Sequence, residues 1–341
     1  MTAVPATAGP HKFGTVRTVL GDIPMEQLGR CDYHEHLFQV SPLLVGDELD
    51  DEQASTQEAE SLRQAGIDAF VDATPTGLGR NPGAVARISR STGIVIVHVS
   101  GAHHQGHYGS THWLLQADEN DLTNSFLADV QDGMPAEDGP NRGDLAVGPT
   151  GDTVRAGMLK AGIGYWRISP FERRVLAAVT AAAEMTGVPV MVHLEHGSAT
   201  WELLDILRKG GLTHDRVALA HIDRNLDPGL HAELTLAGAY LGYDGMARHR
   251  EAPDAAIIDC LERVVATGDA SRLLLGGDVA RRTRYLAYGG MPGLEYLPRR
   301  FLPRLRDRLG FDVVDRLLVE NPARLLTQRP AQPALVRIFN S

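Results

Sequence analysis

The run Cys31-Asp32-Tyr33-His34-Glu35-His36 puts two histidines one residue apart in a strand-like stretch. Side chains two apart on a strand leave the same face, so His34 and His36 can grip one metal ion. Alone, a His-x-His pair reads equally well as a polar rim. Four later residues change the weighting, because Lys160, His193, His221 and Asp278 each close an apolar, strand-like run. Singly, His193 and His221 read as neutral buried histidines, Asp278 as a helix cap, and Lys160 as a lysine reaching to solvent. Jointly they read as a metal site, since imidazoles and carboxylates suit Zn²⁺ or Mn²⁺. Lys160 is the puzzling member, an ammonium being no ligand.

Such side chains need a scaffold that brings strand ends together. Short apolar runs alternate with longer amphipathic segments, the pattern of parallel strands joined by crossover helices. The sequence predicts eight strands near 29–34, 67–73, 93–99, 154–160, 188–193, 217–221, 239–244 and 273–278. A helix over Pro170–Thr186 has Ser169 as N-cap, Pro170 at its first position and Gly187 as its stop. Eight βα units predict an α/β fold, the (β/α)8 TIM barrel, in which chemistry gathers at the C-terminal ends of the strands. The candidate ligands fall at those ends. The stretch from about 103 to 153 is too long for an ordinary connection and predicts a lid or subsite loop with a helix near 122–130. Its His103, His104, His107 and His112 form a further cluster, from which His104 or Tyr108 could reach a substrate. The opening segment through Gly21 is expected to form a small hairpin closing the barrel bottom, and a helix plus an extended end to follow Asn321-Pro322.

With 341 residues and 43% hydrophobic content the chain can bury a large core, and one barrel domain over 1–341, with its core at about 14–326, is expected. A net charge of -10 argues against a nucleic-acid partner. No apolar run approaches the ~20 residues of a membrane span, and a cytoplasmic location is the default. Cys31 and Cys260 are too few for a disulfide framework. Neither a phosphate-binding Gly-x-x-x-x-Gly-Lys loop nor a Gly-x-Ser-x-Gly elbow is present. A homodimer is compatible with this reading.

The segments Thr18-Val-Leu-Gly-Asp22, His34-Glu-His36-Leu37, Thr186-Gly-Val-Pro-Val-Met-Val-His193, His221-Ile-Asp-Arg-Asn225 and Asn321-Pro-Ala-Arg-Leu325, with Lys160 at a strand end, resemble the phosphotriesterase family of the amidohydrolase superfamily. The resemblance implies a binuclear centre held by His34, His36, Lys160, His193, His221 and Asp278. It also implies carbon dioxide bound as a carbamate on Lys160, which turns the puzzling lysine into a bridging anion. Two divalent ions about 3.5–4 Å apart acidify a water and polarise a substrate oxygen. Zinc is the first expectation, with manganese or cobalt as alternatives, and Asp278 is the expected catalytic proton shuttle.

His193-Leu-Glu-His-Gly197, Tyr243-Asp-Gly245, Asp278-Val-Ala-Arg-Arg282 and Tyr288-Gly-Gly-Met-Pro-Gly293 are most similar to the phospho-furanose lactonase branch. There the resemblance implies three contacts to a substrate phosphate. The matching positions are Arg250, where the branch has Lys, Arg281, and Arg284, where it has Tyr, with Tyr285 one residue later. The expected reaction is hydrolysis of a phosphorylated sugar lactone by a metal-bridging hydroxide. The alternatives are a phosphotriesterase-like lactonase, esterase or amidase acting on an unphosphorylated substrate, and a catalytically silent metal-binding barrel.

Overall fold

A computed structural model describes residues 14–330, apart from His249. It opens on an antiparallel hairpin, β1 (Thr15–Thr18) and β2 (Gly21–Pro24). Eight parallel strands follow: β3 (Cys31–Glu35), β4 (Ala69–Asp72), β5 (Val95–Gly101), β6 (Met158–Ile163), β7 (Val190–Leu194), β8 (Val217–Ala220), β9 (Tyr240–Tyr243) and β10 (Leu273–Leu275). They lie side by side in chain order with helices between them, which is a TIM barrel. The helix Pro170–Thr186 has the expected ends. Ser169 and Glu172 form a reciprocal capping box, and Gly187 closes the helix in the left-handed region.

Inward and outward side chains alternate along each strand. Ala69, Val71, Val97, Val99, Met191 and Leu274 fill the interior, and Val16 of the hairpin joins them at the bottom, as anticipated. Phe70, Ile96, Leu159, Val190, Leu219 and Leu241 pack outward against the helices.

The fourth barrel strand departs from its expected bounds. Val154 pairs with Met134 and Ala146 in the preceding loop, so β6 starts at Met158 and Lys160 lies inside it. The helix expected near 122–130 runs Glu119–Gln131. A final helix occupies Asn321–Leu326; the extended end beyond 330 lies outside the described residues. Among the described residues no helix is long and apolar enough to cross a membrane.

The ring closes between β10 and β3 largely through side chains. The Asp278 N–H donates to the His34 carbonyl (2.9 Å). The Asp32 carboxyl accepts from Gly277 (3.3 Å) and His34 (3.0 Å), and Glu35 accepts from Val279 (2.9 Å). Gly277 lets the strands meet, because a Cβ there would stand 2.1 Å from Glu35 Oε1.

The long excursion after β5 is tied down by buried charges. The Arg80 guanidinium donates to both oxygens of Asp138 and to Asp129 Oδ2 (2.9 Å), and Ser100 donates to the same Asp129 oxygen (2.6 Å).

Candidate metal centre

The barrel mouth holds a cavity of about 430 Å³ whose lining includes His34, His36, Lys160, His193, His221 and Asp278. All six of the residues predicted as ligands are buried and meet there. Barrel geometry explains the convergence. His34 and His36 flank the end of β3, Lys160 and His193 point inward from β6 and β7, and His221 and Asp278 follow β8 and β10. The last two adopt left-handed backbone (φ 63 and 43), which lets the chain turn outward while the side chains stay over the mouth. Such strain in non-glycine residues costs on the order of 1–3 kcal/mol and gathers at functional sites.

Hydrogen bonds assign the tautomer of each histidine. Asp244 accepts from His34 Nδ1 (3.1 Å) and from His221 Nδ1 (2.7 Å), and the Tyr33 hydroxyl donates to it as well. His36 Nδ1 meets Thr74 Oγ1 at 2.7 Å; Thr74 donates its own hydrogen to the Phe38 carbonyl, so it accepts from the ring. His193 Nε2 donates to Glu195 (3.1 Å). The bare nitrogens are therefore Nε2 of His34, His36 and His221, and Nδ1 of His193.

Burial keeps these rings neutral: His36 and His221 are drawn down to about 3, and His34 and His193 also fall. Lys160 Nζ lies 3.2 Å from His34 Nε2, and burial lowers its ammonium to about 8. Asp278 Oδ1 stands 3.6 Å from His36 Nε2 and 3.8 Å from His34 Nε2. Its Oδ2 accepts from Arg248 (2.7 Å) and Arg224 (3.3 Å). Burial works against its negative charge, yet the Arg248 guanidinium holds the carboxyl well below the usual range.

Four bare imidazole nitrogens, an ionised carboxylate and a buried amine around one cavity fit divalent metal ions. His34, His36 and Asp278 can supply donor atoms within 4.8 Å of one another. Each imidazole also has the oriented outer partner that metal-binding histidines require.

The expected phosphate contacts are arranged differently. Arg281 lines the cavity with its side chain 54% exposed, its ion-pair partner being Asp47 at 3.8 Å. Arg250 is exposed and away from the cavity lining; the cation after β9 that faces the cavity is Arg248. Arg284 turns toward the Met246 carbonyl (3.4 Å), and Tyr285 is fully buried with its hydroxyl on the His36 carbonyl. Tyr108 is likewise buried, bonded to Thr76 and His103, and does not reach the cavity, whereas His104 lines it. Sequence reasoning missed Asp244, Thr74, Glu195 and Arg224 as members of the site. For Asp244 a signal existed, its place as the last residue of the predicted strand 239–244.

A sequence profile of the phosphotriesterase family matches residues 14–326. The chain is 28% identical to a phospho-furanose lactonase of Mycoplasmopsis synoviae (strain 53), over 93% of this chain and 92% of the relative. It is also 28% identical to an N-acetyltaurine hydrolase of Danio rerio, over 92% and 98% of the two chains. Among solved structures, a lactonase from Listeria monocytogenes superposes with a TM-score of 0.83 at 31% identity, covering 93% of this chain and all of that one (100%). With barrel, cavity and profile in agreement over the described core, the chain is a hydrolase that belongs to the phosphotriesterase family.

Proposed function

We propose that the protein is a metal-dependent hydrolase that opens a phosphorylated furanose lactone. The observation carrying this reading is a cavity whose floor presents four bare imidazole nitrogens while arginines stand on one wall. His34, His36, Lys160 as its carbamate, His193, His221 and Asp278 would hold two divalent ions, zinc first. Bound there, such ions supply Lewis acidity and an acidified water. Asp278 takes the water's proton and returns it to the leaving ring oxygen. Arg248 and Arg224 grip the outer oxygen of Asp278 and fix the direction of the inner one. Arg281, weakly engaged by Asp47, is the free fork for a substrate phosphate. Arg250, Arg284 and Tyr285 take no part in that contact in this reading, Arg250 being exposed outside the cavity lining and the other two bonded to the Met246 and His36 carbonyls.

A second reading, cleavage of an N-acyl amide bearing an anionic group, draws on the similarity to the N-acetyltaurine hydrolase. Both are tested by a pH-indicator screen of the metal-loaded protein against phosphorylated lactones, their unphosphorylated counterparts and N-acyl aminosulfonates. The phosphorylated lactones should lead. Arg281→Ala should cost roughly 10–150-fold in kcat/KM on them, the scale of a lost charge-assisted hydrogen bond, and far less on uncharged lactones. A wild-type preference for uncharged lactones overturns the phosphate assignment, and a preference for amides moves the scissile bond.

A further inference from the structure

The excursion after β5 carries His103, His104 and His107 into the same cavity. Their rings pack closely, with His103 and His107 centroids 3.8 Å apart and His103 and His193 centroids 4.4 Å apart. Three histidine donor atoms within 4.8 Å invite a metal reading, but the hydrogen bonds oppose it. His103 Nδ1 accepts from the His104 N–H (2.8 Å), and His104 Nδ1 accepts from the Gly106 N–H (3.1 Å). His107 Nδ1 meets Ser41 Oγ at 2.9 Å; that hydroxyl accepts from Leu43 N–H and, among the described residues, has no other acceptor for its hydrogen than the ring. A nitrogen that accepts carries no proton. Each of these rings is therefore neutral and bears its proton on Nε2.

Three histidines of the metal floor leave Nε2 bare, whereas these three leave Nε2 as a donor. Their place in the barrel gives the contrast a direction. They follow β5, the third barrel strand, while Arg248 follows β9, the seventh, four places round an eight-strand ring. The cavity thus has a cationic side and, across the mouth, a side of neutral N–H donors on which Glu195 Oε2 stands 3.7 Å from His104 Nε2.

Building on the lactonase reading, we propose that His103, His104 and His107 form a subsite for the uncharged oxygens of the substrate, so that the protein selects a polyhydroxylated, sugar-derived acyl group. Neutral donors pair with hydroxyl, ring or carbonyl oxygens, whereas a methyl group such as that of an acetamide would leave them unpaired, a loss larger than the bond itself. The subsite sets specificity and leaves proton transfer to Asp278.

The test is calorimetric binding of a 5-phosphorylated aldonic acid and its 2,3-dideoxy counterpart to the metal-loaded protein, for wild type, His104→Leu, His107→Leu and His104→Gln. Wild type should favour the hydroxylated acid. Each Leu variant should bind it about three- to tenfold more weakly, the scale of one neutral hydrogen bond, with under twofold change for the dideoxy acid. His104→Gln, which keeps an N–H donor, should recover most of the affinity. Equal losses on both acids, or none on either, overturn the subsite. Zinc titration serves as the second readout: an equivalent bound by wild type and lost in His104→Leu or His107→Leu would make these rings ligands and also overturn it. If no lactone is hydrolysed while the binding discrimination stands, the lactonase reading fails and the subsite survives.

Discussion

Asp244 decides how the metal floor presents itself. One carboxylate takes the Nδ1 protons of two histidines from two different strands, and burial is outweighed by those rings, which hold it well below the ordinary carboxylate range. An amide in its place offers one acceptor and one donor, so one imidazole must flip or change tautomer. Asp244→Asn should therefore bind zinc about 10–100-fold more weakly, the usual effect of removing an outer partner, as equilibrium dialysis would measure; unchanged affinity would mean the tautomers are set elsewhere. His34 and His36 were legible because a two-residue spacing has one geometric meaning on a strand. The partners of Asp244 were not, since they lie 210 and 23 residues earlier in the chain. Arg250 was chosen over Arg248 for a related reason. The segment after β9 has neither strand nor helix period, so nothing in the sequence says which of two nearby arginines faces inward.

Among the strands, the eight apolar runs were readable from alternation and length alone. The displaced start of β6 was not, because Val154 is as apolar as the strand it precedes and is claimed by the loop. Position along that strand matters. Gly101 ends β5 at φ 116, and a Cβ there would stand 2.0 Å from the Lys160 carbonyl oxygen. Gly101→Ala combines a strained backbone with a backbone clash, and a loss of about 3 kcal/mol, or roughly 4 °C in Tm for a chain of this length, is expected; a shift under about 1 °C would show that β6 can yield. Behind the β8–β9 region, His231 is buried against Tyr243 (2.6 Å) and burial draws it down to about 4 from 6.5. The unfolded chain then binds the extra proton between those values, so His231 contributes stability that is complete above about pH 6.5 and fades as pH falls through 4. Denaturant melts of wild type and His231→Gln should differ in slope within that window by up to about 3 kcal/mol; parallel pH profiles would rule the group out.

At the scale of the molecule, the barrel supports an excursion that owes its place to a few buried charges. Arg80 is held by Asp129 and Asp138 with its side chain 1% exposed. Arg80→Leu takes the guanidinium from Asp138 and leaves Asp129 with Arg142 and Ser100 alone, a change worth about 3–5 kcal/mol. Limited proteolysis should then cut first between residues 132 and 153, ahead of any cut in the barrel; simultaneous cleavage everywhere would mean that Arg80 stabilises the fold globally. The seam between β3 and β10 has a consequence of another kind, in time. His34 and His36 are among the first barrel residues to leave a ribosome and Asp278 follows the last strand, yet the Asp278 N–H bond to the His34 carbonyl joins them. The complete ligand set therefore cannot exist on a nascent barrel, however many strands have paired. On the proposed metal reading, capture by all six residues would be the closing event of biogenesis, and in a pulse of newly made chains zinc retention should report finished barrels while secondary structure counts unfinished ones as well.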